Sequence, residues 1–366
     1  MRFSIDRDAL LKPLQLVTGA VERRHNLPIL ANLLVKVSQD SISLTGTDLE
    51  VELVGQAAIH GDVVPGNTTV PAKKLLDIVK SLPEQSELHV EQQDNRWLLR
   101  SGRSRFTLAT LPASDYPNVE AFQAEIEFTI KQGVLKSIID STQFSMANQD
   151  VRYYLNGLLF ETEGNTLKAI ATDGHRLALS HRKIDADLPE KQVIVPRKGV
   201  VEMSRLLDSD DKDISIAIGE SAIRAVTDTA VFTSKLVDGR FPDYRRVLPK
   251  GGDKVVVAGR HQLKQALTRA SILSNEKFRG VRIQLEPGLL RITANNPEQE
   301  EAEEIIDVEY DSENLEIGFN VSYLLDVLNN LASEDVRITL IDGNSSALIE
   351  NHKEEDSMYV VMPMRL

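Results

Sequence analysis

Thr45-Gly46-Thr47-Asp48 returns as Ile170-Ala171-Thr172-Asp173 and once more as Thr293-Ala294-Asn295-Asn296. The closing residues Asp48, Asp173 and Asn296 lie 125 and 123 residues apart. A period of that length is the size of a domain, so the spacing of this stretch decides the architecture before any element is assigned.

Working outward, two further markers keep the period. Leu-Lys pairs begin at 11, 135 and 263, in steps of 124 and 128. Val70-Pro71-Ala72-Lys73, Val195-Pro196-Arg197-Lys198 and Phe319-Asn320-Val321-Ser322 each read as a strand end entering a helix. Their Pro71, Pro196 and Asn320 are 125 and 124 residues apart. Generic patterning would not hold one period across unrelated markers. Pro117 to Ala124 and Pro249-Lys250-Gly251-Gly252-Asp253 serve as connectors. The expected fold class is therefore α+β, with three tandem copies at 1–124, 125–250 and 251–366.

Each copy carries two helical patterns with apolar residues at spacings of three and four. The first helices present Leu10, Leu14, Val17 and Val21; Val134, Leu135, Ile138 and Ile139; and Leu263, Ala266, Leu267 and Ala270. The second present Leu75, Leu76 and Val79; Val200, Met203 and Leu207; and Leu324, Val327, Leu328 and Leu331. Leu49, Val51 and Leu53 alternating with Glu50 and Glu52 read as a strand. One apolar stripe per helix lying on a sheet makes each copy a two-layer unit.

Composition narrows the function. Of 366 residues, 42% are apolar and 27% charged, and no run reaches the length of a membrane span. The opening Met1-Arg2-Phe3-Ser4-Ile5-Asp6 lacks the apolar core of a signal peptide, so a cytoplasmic protein is expected. There is no cysteine, which excludes disulfides, thiolate metal sites and cysteine nucleophiles. The net charge of −13 argues against nucleic acid, but only weakly, because a basic surface can sit on an acidic body. Bases do gather on the helices: Arg260, Lys264 and Arg269 on one, Arg23 and Arg24 closing the first, and Lys73, Lys74, Lys80, Arg197 and Lys198 on the second helices. Acids gather from Glu298 to Glu309. A phosphate-facing lining and ordinary solvated helix faces both fit this pattern.

Several segments together resemble the family of bacterial sliding clamps, the processivity subunits of DNA polymerase III, from Met1 to Leu366. They are Leu44-Thr45-Gly46-Thr47-Asp48-Leu49-Glu50, Gln149-Asp150-Val151-Arg152-Tyr153-Tyr154-Leu155-Asn156-Gly157, Ala171-Thr172-Asp173-Gly174-His175-Arg176-Leu177, Asp238-Gly239-Arg240-Phe241-Pro242-Asp243-Tyr244, Asn275-Glu276-Lys277-Phe278-Arg279-Gly280 and Val361-Met362-Pro363-Met364-Arg365-Leu366. The resemblance implies three copies of a DNA-clamp domain, helices lining a ring, sheets outside and a head-to-tail homodimer. Twelve helices about 9 Å apart would leave a hole of about 24 Å, enough for a duplex. The sequence carries no metal-ligand cluster and no phosphate-binding Gly loop, so no cofactor and no metal are expected, and ring opening is expected to fall to another protein.

The resemblance further assigns residues. Duplex contact falls to Arg24 and Lys73, and single-strand contact to Gln149, Tyr153 and Tyr154. A pocket for short peptides joins Leu155, Thr172, Gly174, His175, Arg176, Leu177, Pro242, Arg246, Val247, Phe278, Asn320, Tyr323, Ser346, Val360, Val361, Met362, Pro363, Met364, Arg365 and Leu366. Its expected visitors are the replicative polymerase, the clamp loader, other polymerases and repair factors. From the residues alone, the apolar tail reads equally as a surface for several partners or as docked core. Arg152-Tyr153-Tyr154 reads as a stacking platform or as a strand start with buried rings.

The subunit contact is expected between Lys74, Arg96, Arg103, Arg105, Phe106 and Leu108 of copy one and Ile272, Leu273, Glu298, Glu300, Glu301, Glu303 and Glu304 of copy three. A strand at Arg103 to Leu108 would place the arginines on one face and Phe106 and Leu108 on the other; a solvated arginine face is the other reading. A hydrolase built on Asp48, Asp173 or His175 is the alternative of a different class. It lacks a nucleophile motif, a metal cluster and a phosphate loop, and its acid recurs in every copy as a turn residue would.

Overall fold

The computed structural model describes all residues except 23–26, 118–121, 355 and 366. Six α-helices appear among the described residues: α1 Arg7–Thr18, α2 Ala72–Ser81, α3 Gln132–Asp140, α4 Arg197–Leu206, α5 Arg260–Ser271 and α6 Val321–Asn330. The three Leu-Lys pairs fall on α1, α3 and α5. Pro71, Pro196 and Asn320 are the N-caps of α2, α4 and α6. Two prolines fix an extended entry but give no side-chain cap, whereas the Asn320 side chain accepts the Ser322 N–H at 2.9 Å.

The chain forms two compact units, one of residues 1–135 and 195–236, the other of 136–194 and 237–366. In the first unit a five-stranded sheet runs in the order His60–Val64, Arg2–Asp6, Glu87–Gln93, Arg96–Ser101, Ser104–Ala109. Its eight-stranded sheet is half copy one and half copy two. Ala230–Lys235 pairs antiparallel with Val51–Ala58, matching Phe232 with Leu53. The second unit repeats the device: Ser357–Val361 of copy three pairs with Arg176 to Ser180 of copy two within a six-stranded sheet. A four-stranded sheet in the order Glu301–Asp307, Leu289–Asn295, Gly280–Glu286, Leu315–Asn320 completes it.

The helical stripes bury as the spacing predicts. Leu10, Leu14 and Val17 of α1, Leu75 and Val79 of α2, and Leu263, Ala266, Leu267 and Ala270 of α5 are all buried. Each such leucine is worth about 1.5–3 kcal/mol. Val21 departs from the expectation, because α1 ends at Thr18 and Val21 lies beyond it. Leu49 departs too. It sits at φ 77°, outside the strand that begins at Val51, because Asp48 folds the chain into a turn there.

That turn carries the repeat at atomic level. Asp48 Oδ1 accepts the N–H groups of Glu50 (2.9 Å) and Val51 (2.7 Å), while Thr47 Oγ1 accepts the Leu49 N–H and donates to the Val51 carbonyl. Asp173 Oδ1 accepts those of His175 (2.9 Å) and Arg176 (3.1 Å), and Thr172 Oγ1 treats Gly174 and Arg176 in the same way. Asn296 Oδ1 accepts from Glu300, so the third copy has a wider turn. Both aspartates serve as caps, with Lys198 bonded to Asp48 and Arg176 to Asp173. Both carboxylates are thus engaged in their turns, and nothing supports the hydrolase alternative.

Candidate functional site

In the second unit the Thr172–Arg176 turn gathers several of the residues expected at the peptide site. Gly174 takes φ 89°, a conformation that leaves His175 exposed at the tip. The His175 ring stacks on Tyr323 of α6, with centroids 6.4 Å apart. Arg176 is only 11% exposed. It donates to Asp173, Asp326 and the Phe144 carbonyl, and its guanidinium lies 4.6 Å from the Tyr323 ring centre. Arg176 therefore holds the turn against α6 rather than facing solvent.

Beneath the turn, Leu155, Leu177 and Val360 share a buried cluster with Phe241 and Tyr244, and Val247 packs on it. Ser357–Val361 is a core strand with Val360 and Val361 buried. The chain then surfaces. The Met362 N–H donates to the His175 carbonyl (3.0 Å) and the Met364 N–H to the Gly318 carbonyl (2.8 Å). Met362 is 38% exposed, Pro363 and Met364 are half-buried and Arg365 is exposed. The two readings of the tail thus divide between its residues: Val360 and Val361 are core, and Met362 to Arg365 are surface. Leu366 lies outside the described residues.

Pro242 and Arg246 are exposed, with Arg246 paired to Asp243 at 3.1 Å. Phe278 is 54% exposed and precedes the strand whose Gly280 pairs with Asn320, the α6 N-cap. Ser346 is half-buried beside Ala347, which pairs with Val361.

Tyr153 and Tyr154 form a 3-10 turn with Leu155, so they do not start a strand. Tyr153 is 56% exposed, and its ring meets the half-buried Tyr154 edge-on at 5.8 Å. Arg152 is bound to Asp150, whose carboxyl is held down at about 2, chiefly by that hydrogen bond, and it also donates to the Asp173 carbonyl. Val151, between these two charged residues and not among the residues expected at the site, is 96% exposed. An apolar residue between two charged ones on a loop was the available signal. Gln149, at φ 56°, is exposed on the same loop.

Of the helical bases, Lys73 and Lys74 are exposed on α2. Others are committed. Arg260 donates to the Ser333 and Leu328 carbonyls, Arg269 pairs with Glu304 at 2.6 Å, and Lys198 is taken by Asp48. On α5 this leaves Lys264 without an ion pair among the described residues. Arg24 lies outside the described residues, as does Arg23.

Two of the sheet edges, in copies one and three, carry the residues expected at the subunit contact. Ser104–Ala109 ends the five-stranded sheet, with Arg105 exposed, Phe106 half-buried and Leu108 buried. Arg103 lies in the preceding hairpin turn, outside the strand expected to contain it, because Gly102 at φ 55° closes the hairpin there. Arg96 is exposed on the neighbouring strand, where it pairs with Ala109. Glu301–Asp307 ends the four-stranded sheet. There Glu303 pairs with Arg291 and Glu300 with Asn296, while Glu298 and Glu301 are exposed without an ion pair among the described residues. Ile272, just past α5, is 74% exposed, and Leu273 is half-buried.

Comparison with known proteins agrees along the whole chain. The N-terminal, central and C-terminal domains of the DNA polymerase III beta subunit match residues 1–120, 129–243 and 245–365. The beta sliding clamps of Pseudomonas aeruginosa and Escherichia coli are each 58% identical, over 100% of both chains. A crystal structure of the Pseudomonas aeruginosa clamp bound to griselimycin superposes with a TM-score of 0.98 at 57% identity, and the Caulobacter crescentus pol III beta with 0.94 at 37%, each over 100% of both chains. With the repeat, the shared turn and this full-length agreement in hand, the chain belongs to the DNA polymerase III beta subunit family, the bacterial beta sliding clamps.

Proposed function

We propose that two copies of this chain close head to tail around duplex DNA, with domains at 1–124, 125–250 and 251–366 in each. The chain is a sliding clamp, a non-catalytic processivity subunit that tethers DNA polymerase III. The observation that carries ring closure is the charge difference between two edge strands, Ser104–Ala109 of copy one and Glu301–Asp307 of copy three. One carries Arg105 and the other is an acidic strand from Glu301. Unpaired edges seek partners, and opposite charge selects which. A contact between two different surfaces that closes after two subunits yields a ring instead of a filament.

In this reading Lys73, Arg24 and the uncommitted helical bases meet phosphates without reading sequence, as a sliding protein requires. Gln149, Tyr153 and Tyr154 meet single-stranded template. The His175 pocket, with Tyr323, Phe278, Pro242 and Met362 at its rim, receives short peptides of polymerases, the clamp loader and repair factors. The place of work is the cytoplasm. The test is retention on circular DNA loaded by a clamp loader. Protein should stay on closed circles and leave when the circle is cut. Equal retention on linear DNA with free ends would refute topological binding.

A further inference from the structure

The His175 pocket has a counterpart one repeat earlier. A cleft of about 480 Å³ opens within the first unit, where copies one and two join. Part of its lining lies 125 positions before residues assigned to the His175 site: Leu49 for Gly174, Glu50 for His175, Glu52 for Leu177, Pro117 for Pro242, Phe122 for Val247 and Ser221 for Ser346. The backbone agrees. The Lys235 N–H donates to the Glu50 carbonyl (2.8 Å) as that of Met362 does to His175 (3.0 Å), so Lys235 stands where the other pocket has methionine.

The same turn and strand pairing thus carry a different chemistry. Leu49 and Phe122 keep an apolar patch, the ring lying 4.4 Å from the Arg224 guanidinium carbon. Around it stand Glu50, Glu52 and Glu220; Lys235, the only base in the described lining, lies 3.8 Å from Glu50, so the acids outnumber the base by three to one. Glu52 Oε2 is shut off from solvent and accepts no hydrogen bond. Burial pushes its carboxyl above the usual glutamate range, and the Arg224 and Lys36 charges offset only part of that. A half-buried carboxylate with one unsatisfied oxygen is costly, and positive charge brought into the cleft would offset that cost through the field rather than by contact with the shielded oxygen. The acidic lining repels phosphate, which disfavours nucleic acid. The volume is that of a ligand site.

We propose that this cleft is a second docking site, for an extended peptide segment of a partner protein that carries a lysine or arginine beside an apolar residue. The inference rests on reading the His175 pocket as a peptide site. It assigns the two pockets to different peptides, because exchanging apolar for charged residues at matched positions changes which partner is rejected.

The chain has no cysteine, so Ser221→Cys and Ser346→Cys can each place one environment-sensitive fluorophore in one pocket of the full-length protein. The probes are a ten-residue peptide alternating leucine and lysine, its leucine–glutamate counterpart, duplex DNA and a peptide from the replicative polymerase. The Ser221 label should respond to the leucine–lysine peptide, and at least about tenfold more weakly to the leucine–glutamate one. Glu50→Gln, at an exposed site, and Glu52→Gln should each weaken that response about fivefold without changing the Ser346 response to the polymerase peptide. No response to the leucine–lysine peptide, equal responses to both peptides, indifference to both glutamate variants, or a response to DNA instead would overturn the proposal. Failure of the Ser346 label with the polymerase peptide would overturn the His175 reading, and the two labels report it separately.

Discussion

Replacing Ile272 and Leu273 with alanine should turn the ring into monomers. Ile272 is 74% exposed in the single chain, and Leu273 beside it is half-buried. Each replacement removes three carbons, worth about 0.8 kcal/mol apiece when buried, so about 2.4 kcal/mol for Ile272 and about half that for Leu273. A ring of two subunits contains this contact twice, for a total of about 7 kcal/mol, or about five powers of ten in the dimer dissociation constant. Apolar anchors at the centre of an interface carry most of its energy, so this pair is the place to cut. Sedimentation velocity at nanomolar protein measures the outcome. A dimer that persists there would show that the subunits meet elsewhere. Charge swaps at Arg103 or Glu301, both exposed, should instead slow assembly and alter its salt dependence, because rim charges steer encounter more than they hold a complex.

Deleting Met362 to Leu366 should abolish binding of polymerase and clamp-loader peptides and leave the dimer intact, since the core strand Ser357–Val361 stays; unchanged peptide affinity by fluorescence anisotropy would refute the pocket assignment. Gly174→Ala places a methyl 2.9 Å from an Arg152 guanidinium nitrogen at φ 89°, which should cost about 1–2 kcal/mol and weaken peptide binding; an unchanged melting temperature together with unchanged affinity would contradict it. Buried Glu161 accepts from Lys168, Tyr244 and Arg245, each at 2.9 Å, so Glu161→Gln should lose about 2–3 kcal/mol in urea unfolding at neutral pH. Burial raises that carboxyl, but the Lys168, Gln192 and Tyr244 hydrogen bonds outweigh it and hold the folded value below the usual 4.5. The stabilisation is therefore present above that value and drains as pH falls through the folded one, so the gap to Glu161→Gln should close on acidification; a gap independent of pH would refute the linkage.

Much of this molecule is legible without coordinates because the signals are local. The Leu-Lys pairs, the helix-entry residues Pro71, Pro196 and Asn320, and the Asp48 and Asp173 turns each follow from a few neighbouring residues, and the period between them gives three α+β copies. Stripes such as Leu263, Ala266, Leu267 and Ala270 name the buried face of a helix through its 3.6-residue period alone. The acidic strand from Glu301 and the apolar tail also stand out as composition. Tertiary structure decided everything that depends on a partner distant in sequence. It joined Ala230–Lys235 to Val51–Ala58 and Ser357–Val361 to Arg176–Ser180, which makes two compact units out of three copies. It turned Arg260, Arg269 and Lys198 from candidate phosphate contacts into ties to Ser333, Glu304 and Asp48, and buried Arg176 against Tyr323. It split the tail at Met362 and exposed Val151. The physical reason is common to these cases. Periodicity states that a side chain faces in or out, but which carboxylate, carbonyl or ring it meets is fixed by long-range strand pairing, where a shift of one residue turns every side chain to the other face.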